Sequence, residues 1–422
     1  MATPDWYRSR HYLHFDRPLS YASAEKASRS SRVATHAFYP LISYEVKSKK
    51  IFRNKITDTI STKEKDRPIA YAGHLDSHIY SRYAWEMNKL YEAALVRNEL
   101  TESVLAFRSL GKDNIDFAYR AFQEIRSRDE CCAIALDVTG FFDNLDHGVL
   151  KSAWCSLLGK KKLPPDHYSV FKSISQFATV SKLTLFEKLS ISKNNPKNGR
   201  SRVCTPSEFR EKVRSSGLVT PNTNAYGIPQ GTPISALLSN IYMLEFDMAM
   251  SRLVKKLGGI YYRYCDDMLF IVPTAAKSGL ADEVQTTLNN FRLSVNSNKT
   301  EIRCFWKTRN GLVSDKPLQY LGFVFDGETI LIRSASLARY SEKMRRGVKF
   351  AKATMIKRNA LRKLRGESDR PLFKRKLYER YSHLGSRNFV RYGLRAAEKM
   401  DSQAIRKQLK PLWKRLRDEV EN

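Results

Sequence analysis

Gly-Ile-Tyr-Tyr-Arg-Tyr-Cys-Asp-Asp-Met-Leu-Phe-Ile-Val, residues 259–272, is the stretch on which the fold turns. Its two flanks, 259–263 and 268–272, are rich in aromatic and β-branched residues and read as strands. The polar pair between them reads as a hairpin turn, which would present Asp266 and Asp267 side by side. Upstream, Ile134-Ala135-Leu136-Asp137-Val138 reads as an apolar strand interrupted by one carboxylate. A bare carboxylate there is costly unless it is paired or holds a cation. If Asp137 and Asp266 meet, they form a hard, oxygen-rich site suited to Mg²⁺. An Asp-Asp pair in a turn is common and decides nothing alone, and a lone Asp in a strand can be an edge residue, so the rest of the chain has to arbitrate.

The 422 residues carry 74 Lys and Arg against 43 Asp and Glu, a formal net charge of +31. Such an excess opposes compaction unless a polyanion neutralises it, and nucleic acid is the usual partner. An anionic membrane surface is the competitor, but no basic amphipathic segment dominates and no apolar run has spanning length. The start, Met-Ala-Thr-Pro-Asp-Trp-Tyr, does not read as a signal peptide, so a cytoplasmic protein is expected. Hydrophobic residues make up 42% of the chain, enough for a globular core in two or three subdomains. Six cysteines, at 131, 132, 155, 204, 265 and 304, form no Cys-x-x-Cys pair, and the histidines lack zinc-finger spacing. The cysteines are expected to be reduced and structural, Cys265 included.

In chain order, residues 1–30 show weak periodicity. Lys63-Glu64-Lys65-Asp66-Arg67-Pro68-Ile69-Ala70-Tyr71 looks like a charged turn entering a strand, either a solvated hairpin or a basic flap over phosphates. Residues 76–99 and 113–128 read as helices, the second capped by Asp113-Asn114. A further helix is expected over 145–158. Residues 166–189 read as helix and then hairpin material, and 190–212, polar and basic, as a long surface loop or mobile insertion. Gly227-Ile228-Pro229-Gln230-Gly231-Thr232-Pro233 forbids a regular element, and a long helix over 234–256 follows it. Asn298-Lys299-Thr300 comes after one more helix. Leu318 to Phe325 reads as a hairpin limb with Asp326-Gly327 as its turn. From about residue 334 strand signals stop, and Lys- and Arg-rich helices interleaved with aromatics run onward. That mixture suits either a solvated bundle or a helical domain along a nucleic-acid duplex, and the charge favours the duplex.

The order of Asp137 strand, Gly-Ile-Pro-Gln-Gly-Thr-Pro loop with helix, Tyr-Cys-Asp-Asp hairpin, Asn-Lys-Thr and Tyr-Leu-Gly-Phe resembles the palm of a reverse transcriptase. More narrowly, with Leu-Asp-Val-Thr-Gly-Phe-Phe-Asp-Asn-Leu-Asp-His at 136–147, it is similar to the bacterial stand-alone branch that includes group II intron and retron enzymes. His74-Leu75-Asp76, Ala106-Phe107-Arg108, Gly111-Lys112 and the compact basic tail resemble the defence-associated, antiphage members, and among them the second type.

The resemblance implies an α+β right-hand polymerase fold of fingers, palm and helical thumb, the palm an antiparallel sheet with packed helices. The expected segments are 1–130 (N-terminal region and fingers), 131–165 (first part of the palm), 166–222 (return of the fingers and a surface insertion), 223–333 (second part of the palm) and 334–422 (basic helical thumb). It implies two Mg²⁺ ions, replaceable by Mn²⁺, held by Asp137, Asp266 and the Val138 carbonyl, with Asp267 completing the carboxylate cluster. Phe142 stands where the family has its gate against a ribose 2′-hydroxyl, and Gln230 would line the nascent base-pair pocket. Lys299 matches the lysine that assists pyrophosphate departure. Tyr320, Leu321, Gly322 and Phe323 would be the primer grip. Lys65 and Arg67 match the basic finger strand over the triphosphate, with Arg108 a further match.

The implied activity is RNA-directed DNA synthesis from deoxynucleoside triphosphates, copying a bound, structured noncoding RNA into cDNA, with no membrane partner. Cys265 departs from the commoner Tyr-Ala-Asp-Asp, and a small side chain still fits there. The rival readings are a retron-type enzyme making RNA-primed msDNA, an RNA-dependent RNA polymerase, a nonenzymatic RNA-binding protein on an old polymerase fold, and an enzyme primed by its own hydroxyl. Nucleotide selection, the intact aspartates and protease-sensitive covalent DNA would separate them.

Overall fold

The computed structural model describes residues 3–53 and 60–422, and of residues 48–53, 60–65 and 298 the backbone alone. Strands lie at Leu41–Arg53 (β1), Ile60–Tyr71 (β2), Glu130–Asp137 (β3), Ala178–Ser181 (β4), Thr220–Pro221 (β5), Ile260–Tyr264 (β6), Asp267–Val272 (β7), Glu301–Thr308 (β8), Gly311–Ser314 (β9), Leu318–Tyr320 (β10), Phe323–Phe325 (β11) and Ile330–Ile332 (β12). The chain is a mixed α and β protein with mostly antiparallel ladders and packed helices, as expected. It divides into two compact units. Unit 1 is Met1–Arg108, Leu136–Leu269 and Ser278–Thr300, and unit 2 is Ser109–Ala135, Phe270–Lys277 and Glu301–Asn422. Among the described residues no helix is long and apolar enough to cross a membrane.

In unit 1 a four-stranded sheet runs β2-β1-β4-β5. β1 and β2 pair antiparallel from Ile42 opposite Tyr71 to Arg53 opposite Ile60. The segment expected as a charged turn, 63–67, is therefore strand. Twelve consecutive pairings carry it into the ladder despite its charge, because its neighbours are regular and its partner is long. Behind this sheet, Leu13, Phe15, Ile42, Val180, Leu185 and Phe186 form a core with Ile191, Val203, Cys204 and Val213. The last four belong to the stretch expected as a loop or to its edge. Their few apolar side chains dock it, and it holds a turn of helix, Pro206–Glu208, capped by the Thr205 hydroxyl.

The helix His74–Arg97 begins on a distant cap. Asp16 accepts from the amides of His74 and Leu75, each at 2.8 Å, so its carboxylate sits at the positive end of the helix. Tyr12 stacks on His74 and Tyr7 on His78, which packs the N-terminal residues against that helix although their own periodicity is weak. The long helix expected over 234–256 is two, Ser235–Tyr242 and Leu244–Lys256. Met243, with ψ at 0°, interrupts the ladder between them.

In unit 2 the helix Asn114–Arg126 starts in a full capping box. Asp113 accepts from the Ile115 amide at 2.9 Å while Asp116 accepts from the Asp113 amide at 3.0 Å. Ile115, Ala118, Phe122 and Ile125 are buried on one face, as their spacing predicts. β3 pairs antiparallel with β8, and β8 with β9. Cys132 and Cys304 stand directly opposite each other in that ladder and form a disulfide. This corrects the expectation that all six cysteines are reduced: the partners are 172 residues apart, and nothing in local spacing marks them as neighbours.

The three-stranded sheet β10-β11-β12 corrects a second expectation. Residues 318–325 are two antiparallel strands rather than one limb, reversed at Leu321 and Gly322, whose φ angles are 45° and 94°. The expected turn at Asp326-Gly327 does join β11 to β12, with Asp326 accepting from the amides of Glu328 and Thr329. The other α-helices of unit 2 among the described residues are Ser334–Lys363, Arg375–Tyr381, Phe389–Lys399 and Gln403–Glu421.

Candidate active site

The aspartates 137 and 266 are brought together in unit 1 by backbone pairing. Where β3 ends, the Val138 amide donates to the Asp266 carbonyl at 3.1 Å. On the other side the chain is fastened to the segment before Lys299. The Asn296 amide donates to the Asp137 carbonyl at 2.7 Å, and the Thr139 amide to the Ser294 carbonyl at 2.9 Å. Both edges of the residue pair 137–138 are thus occupied, one by the Cys265–Asp266 turn and one by 294–296.

Lys299 closes the short 3₁₀ turn Ser297–Lys299, and its ammonium lies 2.5 Å from Asp137 Oδ1. That carboxylate is 14% exposed and the lysine 44%. The arrangement already stabilises one positive charge on Asp137, the property a cation site requires. Among the described residues no three His, Cys, Asp or Glu side chains converge on one point.

The turn between β6 and β7 is Cys265–Asp266, and Cys265 has φ 60°, the left-handed region that a side chain disfavours. Burial, reinforced by the neighbouring Asp266 carboxylate, pushes the Cys265 thiol well above its ordinary range. It stays protonated and is no nucleophile.

Phe142 and Gln230 are joined through one loop. Gly140, at φ 52°, turns the chain into the 3₁₀ helix Phe141–Asp143. The Phe142 carbonyl accepts from the Ile228 amide at 2.9 Å, and Leu145 accepts from Gly227 at 2.8 Å. The same loop reaches β2: the Ala70 amide donates to the Gln230 carbonyl at 2.8 Å. A Cβ at Gly231, φ 111°, would lie 2.7 Å from the Ala70 carbonyl, so the glycine is needed for this close approach. β2 also carries Arg67, which is exposed opposite Val46, and Lys65, whose backbone lies opposite Ser48 and whose side chain is outside the described residues. Backbone bonds therefore tie the strand of Arg67, the loop of Gln230 and the turn of Phe142 into one frame.

Arg108 is a correction. Its guanidinium is 1% exposed, forked onto Glu92 at 2.7 and 3.0 Å and donating to the carbonyls of Thr101 and Val104. It braces the end of the helix His74–Arg97, with four of its five N–H donors taken and almost no surface left for a triphosphate to reach.

Tyr320 to Phe323 belong to unit 2. Tyr320 and Phe323 are buried, and the Leu321 carbonyl accepts from Asn114 Nδ2 at 3.0 Å. The same amide group donates to the Tyr392 hydroxyl at 2.8 Å, which ties the β10–β11 turn to the helix Phe389–Lys399. That helix borders a groove of 760 Å³ lined by Lys343, Arg387, Arg391, Arg395, Phe389 and Tyr392 among others. The interleaved aromatics expected here differ in fate: Tyr381 is buried, while Phe350 and Phe373 are exposed.

Sequence reasoning missed Arg263, Asp247 and Asn240, which are fully buried behind the turn. The available signal was an arginine inside the strand Ile-Tyr-Tyr-Arg-Tyr and an aspartate inside an amphipathic helix, two opposite charges where apolar residues are expected.

Residues 81–325, more than half of the chain, match the family model for reverse transcriptase (RNA-dependent DNA polymerase). The chain belongs to the reverse transcriptase family and is an enzyme of the nucleotidyltransferase type. Among solved structures it is similar to apo telomerase from Candida tropicalis truncated from its C-terminal domain (11% identity, TM-score 0.39, 75% of this chain and 61% of that one). It is also similar to apo telomerase from Candida tropicalis (10%, TM-score 0.38, 73% and 52%) and to telomerase from Candida albicans in complex with a TWJ fragment of telomeric RNA (12%, TM-score 0.37, 79% and 55%). The chain spans less than two thirds of each of these telomerase chains. No curated protein matches its sequence.

Proposed function

We propose that this enzyme copies an RNA strand into DNA by two-metal nucleotidyl transfer at Asp137 and Asp266. The observation that carries the reading is the 3.1 Å bond from the Val138 amide to the Asp266 carbonyl, which sets the two carboxylate-bearing segments side by side. The donor set fits Mg²⁺: it is hard oxygen, it already draws an ammonium onto Asp137, and Mg²⁺ at polymerase-type sites is held by one or two carboxylates plus substrate phosphates. Asp137, Asp266 and the Val138 carbonyl would hold the ions, with Asp267 adding negative charge. Held there, Mg²⁺ would supply Lewis acidity toward the primer 3′-hydroxyl and the leaving phosphates.

The protein's own residues orient the reactants. Gln230, its backbone locked to β2, lines the base-pair pocket. The Phe142 ring fills the space a 2′-hydroxyl would need. Arg67 and Lys65 on β2 balance phosphate charge, and Lys299 donates a proton toward pyrophosphate. The turn Tyr320 to Phe323 serves as primer grip, and the basic helices from residue 334 act as a thumb on the duplex, with 1–130 and 166–222 as fingers and 131–165 and 223–333 as palm.

The template is a structured RNA that stays with the protein, and the setting is antiphage defence. Supporting this are the net charge of +31 and the wording of the motifs at 74–76, 106–108 and 136–147. The test is to sequence nucleic acid that co-purifies with the wild type and with Asp266→Ala/Asp267→Ala. RNA in both and cDNA only in the wild type is expected. No RNA in either would end the bound-template reading, and cDNA in both would end the assignment of the aspartates. Phage plating on cells carrying either version tests the defence role: equal plating on both would remove it.

A further inference from the structure

A buried polar network stands behind the Cys265–Asp266 turn. Arg263, one strand residue before Tyr264, has no solvent exposure, and neither do Asp247 and Asn240. Its guanidinium is used on every side. Nε and Nη2 fork onto Asp247 at 2.7 and 2.6 Å, and Nη1 donates to Asn240 Oδ1 at 3.1 Å and to the Cys265 carbonyl at 3.1 Å. The Tyr261 hydroxyl donates to Asp247 Oδ1 at 2.7 Å. The backbone is held as firmly: the Arg263 amide donates to Ser103 O at 2.8 Å, and the Leu105 amide to Arg263 O at 2.9 Å. Asn240 in turn donates to the Ala106 carbonyl at 3.0 Å.

A buried ion pair is poor value for stability alone, since apolar residues of similar volume often do as well. It is suited to fixing one geometry, because a forked guanidinium is planar and its donors are directional. Here one of those donors ends on the backbone of the residue with φ 60°. The following carbonyl, that of Asp266, is the one that receives the Val138 amide at 3.1 Å. The turn is thus pinned at two successive carbonyls, from behind by Arg263 and from in front by the chain that carries Asp137. Burial works against the charged guanidinium, but the adjoining Asp247 carboxylate and its hydrogen bonds outweigh that and keep it protonated.

The geometry points to Arg263, held by Asp247 and Asn240, as a positioning residue that keeps Cys265 left-handed and so fixes the Asp266 carboxylate beside Asp137. This rests on the polymerase reading for what the carboxylates do, but the hold on the turn is a property of the chain itself. The residue acts only through the backbone of the turn. Glycine, which takes φ 60° freely, should therefore make it dispensable.

The experiment uses the full chain. Arg263→Met/Asp247→Asn removes the donor to Cys265 without stranding a buried carboxylate, and Arg263→Lys keeps a charge opposite Asp247 but loses the fork. Cys265→Gly is added to each and also made alone as the reference. Three quantities are read: primer-extension rate with its Mg²⁺ dependence, Mn²⁺ binding by electron paramagnetic resonance, and thermal unfolding.

Both turn-releasing variants are expected to extend primers at least about tenfold more slowly, with weaker Mn²⁺ binding, and adding Cys265→Gly should recover most of both losses. A merely structural Arg263 would lower the unfolding temperature, and glycine would rescue nothing, which overturns the inference. So would wild-type rate and Mn²⁺ binding in the two variants. Should the wild type extend no primer on any template, the polymerase reading fails, while the Mn²⁺ titration and its rescue by glycine still decide the role of Arg263.

Discussion

Two ion pairs of unit 1 flank the same turn at nearly the same length and in opposite surroundings. Lys299 meets Asp137 at 2.5 Å with the lysine 44% exposed, and Arg263 meets Asp247 at 2.6 Å with both side chains fully buried. The first joins a flexible point charge to a carboxylate at the open end of a strand, so either partner can turn to another ion or to water. The second is a planar fork in a closed shell, with a partner on every guanidinium nitrogen, and cannot exchange anything without opening the core. Proximity in space therefore says little about role. A charge pair that solvent reaches is chemistry in waiting, and one that solvent never reaches is scaffold.

The widest gap between the pairs should come from breaking each of them in turn. Asp137→Asn is expected to cut primer extension a thousandfold or more, roughly 4 kcal/mol in the barrier. It should change unfolding free energy by no more than about 1 kcal/mol, because Asn leaves no charge behind and the lysine end of the pair, 44% exposed, turns to water. If Asp137→Asn instead unfolds the protein while retaining DNA synthesis, the two pairs have been assigned the wrong way round. Removing the buried cation alone, Arg263→Met, leaves Asp247 uncompensated and should cost about 3–5 kcal/mol in denaturant unfolding. A loss below about 1 kcal/mol would mean that water reaches the pair and the contrast is false.

The solvent-facing half of the comparison sharpens with Lys299→Met. Its contribution to folding should be within about 1 kcal/mol, while the rate of nucleotide addition falls about a hundredfold if it acts as the proton donor. Single-turnover rates across pH separate this from a binding defect: an unchanged rate with a raised nucleotide KM would reduce Lys299 to a counter-charge.

Much of this contrast was invisible in the sequence, for identifiable reasons. Asp137, Asp266 and Asp267 announce themselves because a carboxylate in an apolar strand and a polar pair between two apolar runs are local patterns. The cap at Asp113 and the turn at Asp326-Gly327 are local too, and both are found where expected. What failed depends on partners far along the chain. The Cys132–Cys304 bridge spans 172 residues, and Asp16 caps a helix 58 residues away. The segment 190–212 looked like loop because its few apolar residues have no period, yet Ile191, Val203 and Cys204 find a core built by other strands. The reversal at Leu321-Gly322 hid inside a run of β-formers, where the single glycine was the only sign. Arg263 shows the same limit at the site itself: within its strand it is one more letter, while its meaning lies in Asp247 and Asn240, which two successive helices bring back to it.

The smallest expected effect belongs to a residue outside both pairs, and it tests whether the pairs govern rate while the surrounding frame governs choice. Phe142 is tied through its carbonyl to Ile228, and its ring is half-buried against Phe141 at a centroid distance of 5.5 Å. Phe142→Ala leaves that backbone bond in place and removes only the ring. Ribonucleotides should then compete about 10–100-fold better against deoxynucleotides, the scale of a packing difference of about 1–3 kcal/mol. Deoxynucleotide incorporation and unfolding temperature should move far less. Because the site of chemistry is untouched in this variant, unaltered discrimination would locate sugar selection elsewhere in the frame. A parallel collapse in rate would show that Phe142 supports the aspartates rather than the choice of nucleotide.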